Sequence, residues 1–500
     1  MKVYLSLDEP TGNFWIDNGL VELISRFGEG EHEVEEVRQG LLKELVRKTG
    51  KLGRYYDESA KQVKEYEKVN WAYPVNTFIR VSGKPAPKIT IAGEEYPTAP
   101  PVFDLKLNPT GRGRCTFCGA EGPTEPSKQW IFPFLVTPDK FANFYPGLRG
   151  AARVCLRCAL AGLAGYLGWL YRAQGGEVLH IFVFHSHDLR FLKELRDTVL
   201  QPLKLKYTDK GFNFPTAFAG PYIHETLLGL LLWLFAQLQR QDLGELSDAG
   251  KELLRSILGE LPPIPSELKL YGISGQPGKR FNMGSFEEFS RFQELYRLYR
   301  DWLAALTTRW PQEDQVRLVN HIWDQFYQRR ERGTETIWRE RIARDLLGFG
   351  DFFPYVEQFL YEVRAKESPP RPLSKGSEEV FGIYAKGVLG MKEELNHKLK
   401  GFGHTLGRTA QKEGEMGLLY SLRNAKSLEE FYRVLNDIQF RLEMTIPEEL
   451  LGLEGEKIMG LPWSMVKTHL SIYAMNAYLR AARPQEGRMK GEGEGGGSDG

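Results

Sequence analysis

All four cysteines of this 500-residue chain fall in two pairs, Cys115/Cys118 in "RCTFCGAEGP" and Cys155/Cys158 in "RVCLRCALAG". Two residues between cysteines let a tight turn aim both sulfurs at one ion. Two such knuckles complete a tetrahedral sulfur site for zinc. Four thiolates leave no position for a reactive water, so a zinc held this way is structural. No histidine lies between Cys118 and Cys155, where a nuclease of the HNH type framed by cysteine pairs would need one. The competing reading is a set of unligated thiols. The excursion between the knuckles is longer than in a usual zinc ribbon and holds strand-like and loop-like segments, "KQWIFPFLV" and "FANFYPGL".

Other side chains offer weaker chemistry. "HIFVFHSHDL" places His180, His185, His187 and Asp188 near the end of one strand. His185 and His187 share a face and form a possible metal-ligand pair, as in histidine–aspartate metal nucleases. With no second such cluster in the chain, the plainer reading is polar residues where a buried strand emerges. The glycine-rich "YGISGQPGKRFNMGS" could cradle an anion, but it matches neither the Walker nor the GxGxxG pattern. Its Gln276, Lys279, Arg280 and Asn282 are candidate nucleic-acid contacts, against a plain surface loop. So are Lys84 and Lys88 in "SGKPAPK". "RRERGTETIWRERIAR" carries six arginines, three glutamates and Trp338. Arg329 and Arg330 at its start suit single-stranded nucleic acid, against a solvated helix face. No Ser-His-Asp, Cys-His or paired-carboxylate arrangement stands out, which leans away from an enzyme.

The elements that position these groups follow from composition and periodicity. Hydrophobic residues make up 42% and the formal charge is +1, so ample cores are expected and a globally basic nucleic-acid binder is not. The opening residues lack a signal-peptide core, and "LLGLLLWLFA" is too short for a membrane span and reads as a buried helix. A cytoplasmic protein without membrane partners is expected, where disulfides rarely persist. A strand "VYLSL" precedes a helix from about Ile16, and "EVEEVRQGLLKELVRKTG" reads as a second helix ended by Gly50. The second knuckle leads into a helix rich in small residues, "CALAGLAGYLGWLYRAQGG", and "EVLHIFVFHSH" is a central strand.

The expected class is α+β: a mixed body over 1–368 with its zinc region at about 108–175, mostly helical after 222. A linker "ESPPRPLSKGS" and a helical bundle over 374–484 follow. The last residues, 485–500, are low in complexity and expected to be disordered.

The cysteine pairs, taken with "TGNFWIDNGLVELI", resemble the CXXC-CXXC family of CRISPR-associated proteins, large subunits of type I Cascade surveillance complexes. The family opens with a strand, a Thr-Gly-Asn-like turn and a helix start. The matching residues here are Thr11, Gly12, Asn13, Trp15, Asp17, Gly19 and Leu20. The resemblance implies a non-catalytic subunit that binds guide RNA and target DNA and reads a protospacer-adjacent motif. It would help open the duplex, sit among Cascade backbone and small subunits, and leave cutting to a recruited nuclease-helicase. Asn13 then joins the candidate nucleic-acid contacts. The alternatives are a metal-dependent nuclease built on His185, His187 and Asp188, or a stand-alone zinc-stabilised regulator that binds nucleic acid.

Overall fold

Asn13 accepts the amide protons of Trp15 and Ile16 and so starts helix α1 (Phe14–Phe27), directly after strand β1 (Lys2–Leu5). In the computed structural model the described residues are all but 72–85, 102–104, 106, 110, 127–130, 135–151, 175–176, 206–210, 219, 240–245, 263–265, 278–280 and 483–500. They form an α+β protein with four clustered cysteines in its N-terminal half and a helical C-terminal region. Among them no helix is long and apolar enough to cross a membrane. The chain divides into two compact units, Met1–Thr216 with Ala236–Gln293, and Ala217–Phe235 with Glu294–Gly500.

In the first unit β1 pairs with β2 (Gly30–Glu33), and α2 (Val34–Leu45) follows. The second helix expected to run to Gly50 ends at Leu45. Its last residues instead enter a long hairpin, β3 (Val46–Asp57) with β4 (Gln62–Trp71). Val46 adopts extended backbone, as a β-branched residue readily does, and Gly50 takes a positive φ where the hairpin register shifts. A second hairpin pairs β5 (Lys88–Ile91) with β6 (Glu94–Pro97). Strands β7 (Gly111–Arg114), β8 (Glu121–Pro126) and β9 (Arg153–Cys155) make a three-stranded sheet around the knuckles.

Helix α3 (Leu156–Gly168) packs on α1 almost backbone to backbone. A Cβ on Gly19 would stand 1.7 Å from the Ala161 carbonyl oxygen, and one on Gly165 would meet the Trp15 ring at 2.6 Å. The small residues of α3 thus permit this close approach. The helix stops at Gly168, and "LYRAQ", expected to continue it, becomes β10 (Leu170–Gln174). An antiparallel sheet follows in the order β10, β11 (Val178–His185), β12 (Lys269–Gln276) and β13 (Asn282–Phe289). Interior β11 is buried from Leu179 onward, as its continuous apolar run implies. Beyond β11, α4 (Leu189–Leu195), a π-helical turn, the short α5 (Gln201–Leu203) and α7 (Asp248–Ile257) complete the unit, with α6 (Ile223–Gln239) between α5 and α7 in sequence.

The second unit holds α6 as far as Phe235 and, from Glu294, α8 (Phe292–Arg309) onward. Leu227 to Ala236 are buried except for the half-buried Trp233, as the apolar run implied. Helices α9 (Gln315–Asp324), α10 (Ile337–Leu347) and α11 (Phe353–Glu362) follow, with a small hairpin β14 (Gln328–Arg330) and β15 (Gly333–Glu335) between α9 and α10. The C-terminal helices are α12 (Ser377–Gly387), α13 (Glu393–Lys412), α14 (Met416–Asn424), α15 (Leu428–Leu442) and α16 (Trp463–Ala481).

Helix α15 is capped by Ser427, and its Glu430 reaches back one residue beyond the N-cap. Ser427 Oγ accepts the Glu430 amide at 3.2 Å, while Glu430 accepts the Lys426 amide at 2.7 Å. Phe431, Leu435, Ile438 and Leu442 are buried on one face. Helix α16 is buried all round from Thr468 to Ala477 and runs through the middle of its helices.

The proline-rich segment expected to be a linker is built into this unit. The Leu373 amide donates to Asn476 Oδ1 at 2.7 Å and the Ser374 amide to Gln325 Oε1 at 2.7 Å. Residues 374–484 therefore do not stand apart from the helices before them, and the two units part elsewhere. The expected disorder of 485–500 concerns residues outside those described.

Candidate metal centre

The first knuckle grows out of the β7–β8 hairpin. The Cys115 amide donates to Ala120 O and the Gly119 amide to Cys115 O, both at 2.9 Å. This closes a turn in which Gly119 sits at φ +73°, a conformation that only glycine adopts without strain. The second knuckle spans the junction of β9 and α3: Cys155 is the N-cap residue and Cys158 lies in the first turn. Sheet pairing brings the knuckles together across the excursion, with Thr124 on β8 opposite Cys155 on β9. The Thr116 amide also donates to Arg153 O at 2.8 Å, and the Arg153 guanidinium grips Thr124 through Oγ1 at 2.7 Å and O at 2.8 Å.

The four sulfurs lie within 4.8 Å of one another, with Cys118 and Cys155 Sγ 3.7 Å apart. A tetrahedron with metal–sulfur bonds of about 2.3 Å has edges of about 3.8 Å, so the donor set fits one thiophilic cation. Cys115 and Cys158 are buried, and Cys118 and Cys155 half-buried. As thiols the four share hydrogen bonds. Bonding from Cys155 pulls Cys115 down, and bonding from Cys158 pulls Cys118 down to about 6. Bonding to Cys115 pushes Cys155 up to about 12 and raises Cys158 further. A cation that replaces the shared protons relieves this conflict. The positive end of α3 at Cys155 and Cys158 favours the thiolate form. Arg157, ion-paired with Glu9, adds a positive charge that the Cys158 and Cys118 sulfurs support against its own burial. Cys118, Cys155 and Arg157 also face a groove of about 870 Å³ beside β1, the side from which solvent reaches the centre.

His185 and His187 lie with ring centres 5.2 Å apart, but the cluster does not gather three or more metal ligands. His185 Nε2 lies 3.1 Å from Asp17 Oδ2, both side chains buried, and Asp17 also accepts the Thr11 amide and hydroxyl and the Gly12 amide. The pair locks the Thr-Gly-Asn turn onto β11. His187 is exposed, and His180 is buried within β11. Asp188 caps α4 through the Arg190 and Phe191 amides and accepts the Ser266 hydroxyl at 2.8 Å. Among the described residues only the four cysteines form a metal-competent group of three or more His, Cys, Asp or Glu.

The candidate nucleic-acid contacts are dispersed. Asn13 spends its side-chain oxygen on the α1 cap. Lys88, on β5, is paired with Glu95 at 2.8 Å. The glycine-rich segment read as a loop is largely a β-hairpin, in which Gln276 and Asn282 are opposite partners at its end. Lys84, Lys279 and Arg280 lie outside the described residues. Arg329 and Arg330 are exposed on β14, part of a hairpin rather than a helix face. Sequence reasoning missed the Asp17–His185 pair and the part played by Trp15, whose indole N–H donates to Gly162 O of α3 at 2.8 Å and to Ile131 O at 3.2 Å. Comparison with protein-family models, curated proteins and solved structures gives no match to the chain.

Proposed function

We propose that the chain is a zinc-stabilised, non-catalytic large subunit of a type I Cascade complex that recognises a protospacer-adjacent motif in target DNA. The observation that carries this reading is a juxtaposition. The two patches behind the resemblance, more than 100 residues apart in sequence, pack on one helix: Trp15 and Gly19 of the turn-and-helix patch lie against α3, which carries Cys155 at its cap and Cys158 in its first turn. Zinc is assigned by donor chemistry, since four thiolates in a tetrahedron select zinc or an iron–sulfur centre and a single closed site suits zinc. Bound there, zinc supplies structural cross-linking of two knuckles. The cysteines hold it, Arg157 offsets its thiolate charge, and α1 braces the helix beneath it.

The partners in this reading are guide RNA, target DNA, Cascade backbone and small subunits, and a nuclease-helicase recruited after target binding. Affinity purification of the tagged chain from cells expressing its neighbouring genes tests it. The expected result is co-elution with a small guide RNA and backbone proteins. DNA cleavage by the purified chain alone with added divalent metal would overturn the non-catalytic reading in favour of a nuclease. A chain that binds nucleic acid yet elutes without RNA or partners would indicate a stand-alone regulator.

A further inference from the structure

The hairpin β14–β15 carries three arginines in four residues, Arg329, Arg330 and Arg332, all exposed. Among the described residues no carboxylate lies within ion-pair distance of any of the three. Several other arginines of the second unit are paired with carboxylates, Arg339 with Glu225 and Asp324, Arg344 with Asp345 and Arg423 with Glu362. The hairpin stands on a fixed base. Glu335, at the end of β15, accepts the Ile337 amide at 2.9 Å and the Tyr222 hydroxyl at 3.1 Å, and Thr336 donates to buried Glu225 at 2.9 Å.

Beside it lies a second cationic layer. The Arg371 and Arg364 guanidinium carbons lie 5.6 and 5.9 Å from the Tyr327 ring centre, and Arg371 donates to the Tyr327 hydroxyl at 3.4 Å. Arg371, with help from Arg329, holds that phenol below its usual range. Glu367 is shared by both guanidiniums, 3.5 Å from Arg364 and bidentate with Arg371. Arg364 is 3% exposed, and its Nε is buried without a partner. Lys366 adds an exposed charge. In the hairpin three arginines face two glutamates, and in the adjoining stretch Arg364, Lys366 and Arg371 face Glu367 alone. A near-neutral chain thus concentrates uncompensated positive charge at one rigid, exposed projection.

We propose that this hairpin, backed by the Arg364–Tyr327–Arg371 layer, binds the phosphodiester backbone of nucleic acid. The inference rests on the reading of the chain as a nucleic-acid-binding subunit and names a site for it. Guanidinium forks match phosphate oxygens in a bidentate way, and arginine outnumbers lysine here. The hairpin's exposed side chains are Arg329, Arg330, Glu331, Arg332 and Thr334, and through phosphate contacts they contribute register and affinity.

The test is binding of the full chain to a mixed-sequence oligodeoxynucleotide, single-stranded or annealed to its complement, over a salt series. Replacing Arg329, Arg330 and Arg332 by alanine removes up to three phosphate contacts. On single strands this should flatten the slope of log K against log salt by about 2, which is a loss of about 100-fold at 0.1 M salt. A triple lysine variant should keep the slope while binding more weakly, because charge is retained and the fork is lost. The arm showing the larger loss identifies the strand form bound. If the wild-type chain binds and the alanine variant matches it in affinity and slope on both forms, the hairpin proposal fails and the broader reading stands. If neither form binds the wild-type chain at low salt, alone or in its purified complex, both fail.

Discussion

His469 sits on α16 with 1% of its surface exposed, its ring 4.0 Å from that of Phe353 and 6.4 Å from that of Tyr473. Burial lowers its pKa from 6.5 to about 3. The unfolded chain takes up a proton near pH 6.5 that the folded chain refuses until about 3. Stability is therefore full above 6.5 and is lost as pH falls towards 3. At pH 5 the unfolded state gains RT ln(1 + 10^1.5), about 2 kcal/mol, relative to pH 8. Nearby carboxylates do not mimic this. Burial raises the Glu357 carboxyl, so its protonation on acidification favours the folded state. Glu378 is buried too, yet its bond from His404 holds it at about 2, and its contribution is lost only below 4.5. Replacing His469 by leucine removes the titration and nearly conserves volume, at a cost of under about 1.5 kcal/mol. Hydrogen exchange of α16 amides, corrected for the intrinsic pH dependence of exchange, reads the opening free energy at pH 8 and pH 5. From pH 8 to 5 the wild type should lose about 2 kcal/mol more than His469→Leu. Parallel pH profiles in the two proteins would refute the argument.

Two further outcomes test the centre and the packing. Elemental analysis should find zinc in the purified chain, and Cys155→Ser, which breaks the half-buried side of the site, should lower metal content and soluble yield. Intact folding with no metal in the wild type would contradict the site. On α13, a Cβ at Gly407 would stand 2.0 Å from Ala474 O of α16, whereas Gly401 has open space around it. Gly407→Ala should destabilise by several kcal/mol as measured by denaturant unfolding. Gly401→Ala should stabilise by up to about 1 kcal/mol through helix propensity alone.

The knuckles were legible because their chemistry lies in local spacing: two residues between thiols, a glycine after the first pair, a helix after the second. The Ser427–Glu430 spacing at the start of α15 and the apolar spacing along that helix are local signals of the same kind. What escaped was made by distant partners. Asp17 and His185 become a pair only when α1 packs on β11, and neither residue's neighbours announce it. The proline-rich stretch looked like a linker by composition, yet its backbone hydrogen-bonds to Asn476 and Gln325. The glycines of β12 suggested a loop. Gly275 instead marks a register shift where Phe281 and the Asn282 carbonyl approach too closely for a side chain. Valine and threonine after Leu45 signalled extended backbone against a helical pattern, and tertiary pairing with β4 decided it.

The insertion of Ala236–Gln293 between two parts of the second unit has a consequence for synthesis. Helix α6 leaves the ribosome first, carrying Leu230, Leu231, Leu232 and Phe235, whose surfaces are buried in the finished protein. The partners of Phe235, Tyr296 and Tyr299, are not yet made. At about 5–20 residues per second, an insertion of roughly 60 residues delays them by ~3–12 s. Throughout that interval an apolar helix has no lasting shelter, and the nascent chain presents the kind of segment that holding chaperones capture. A genetic split placed at 293/294 would carry the same defect permanently: the C-terminal half would lack α6, and the N-terminal half would keep it without its cover.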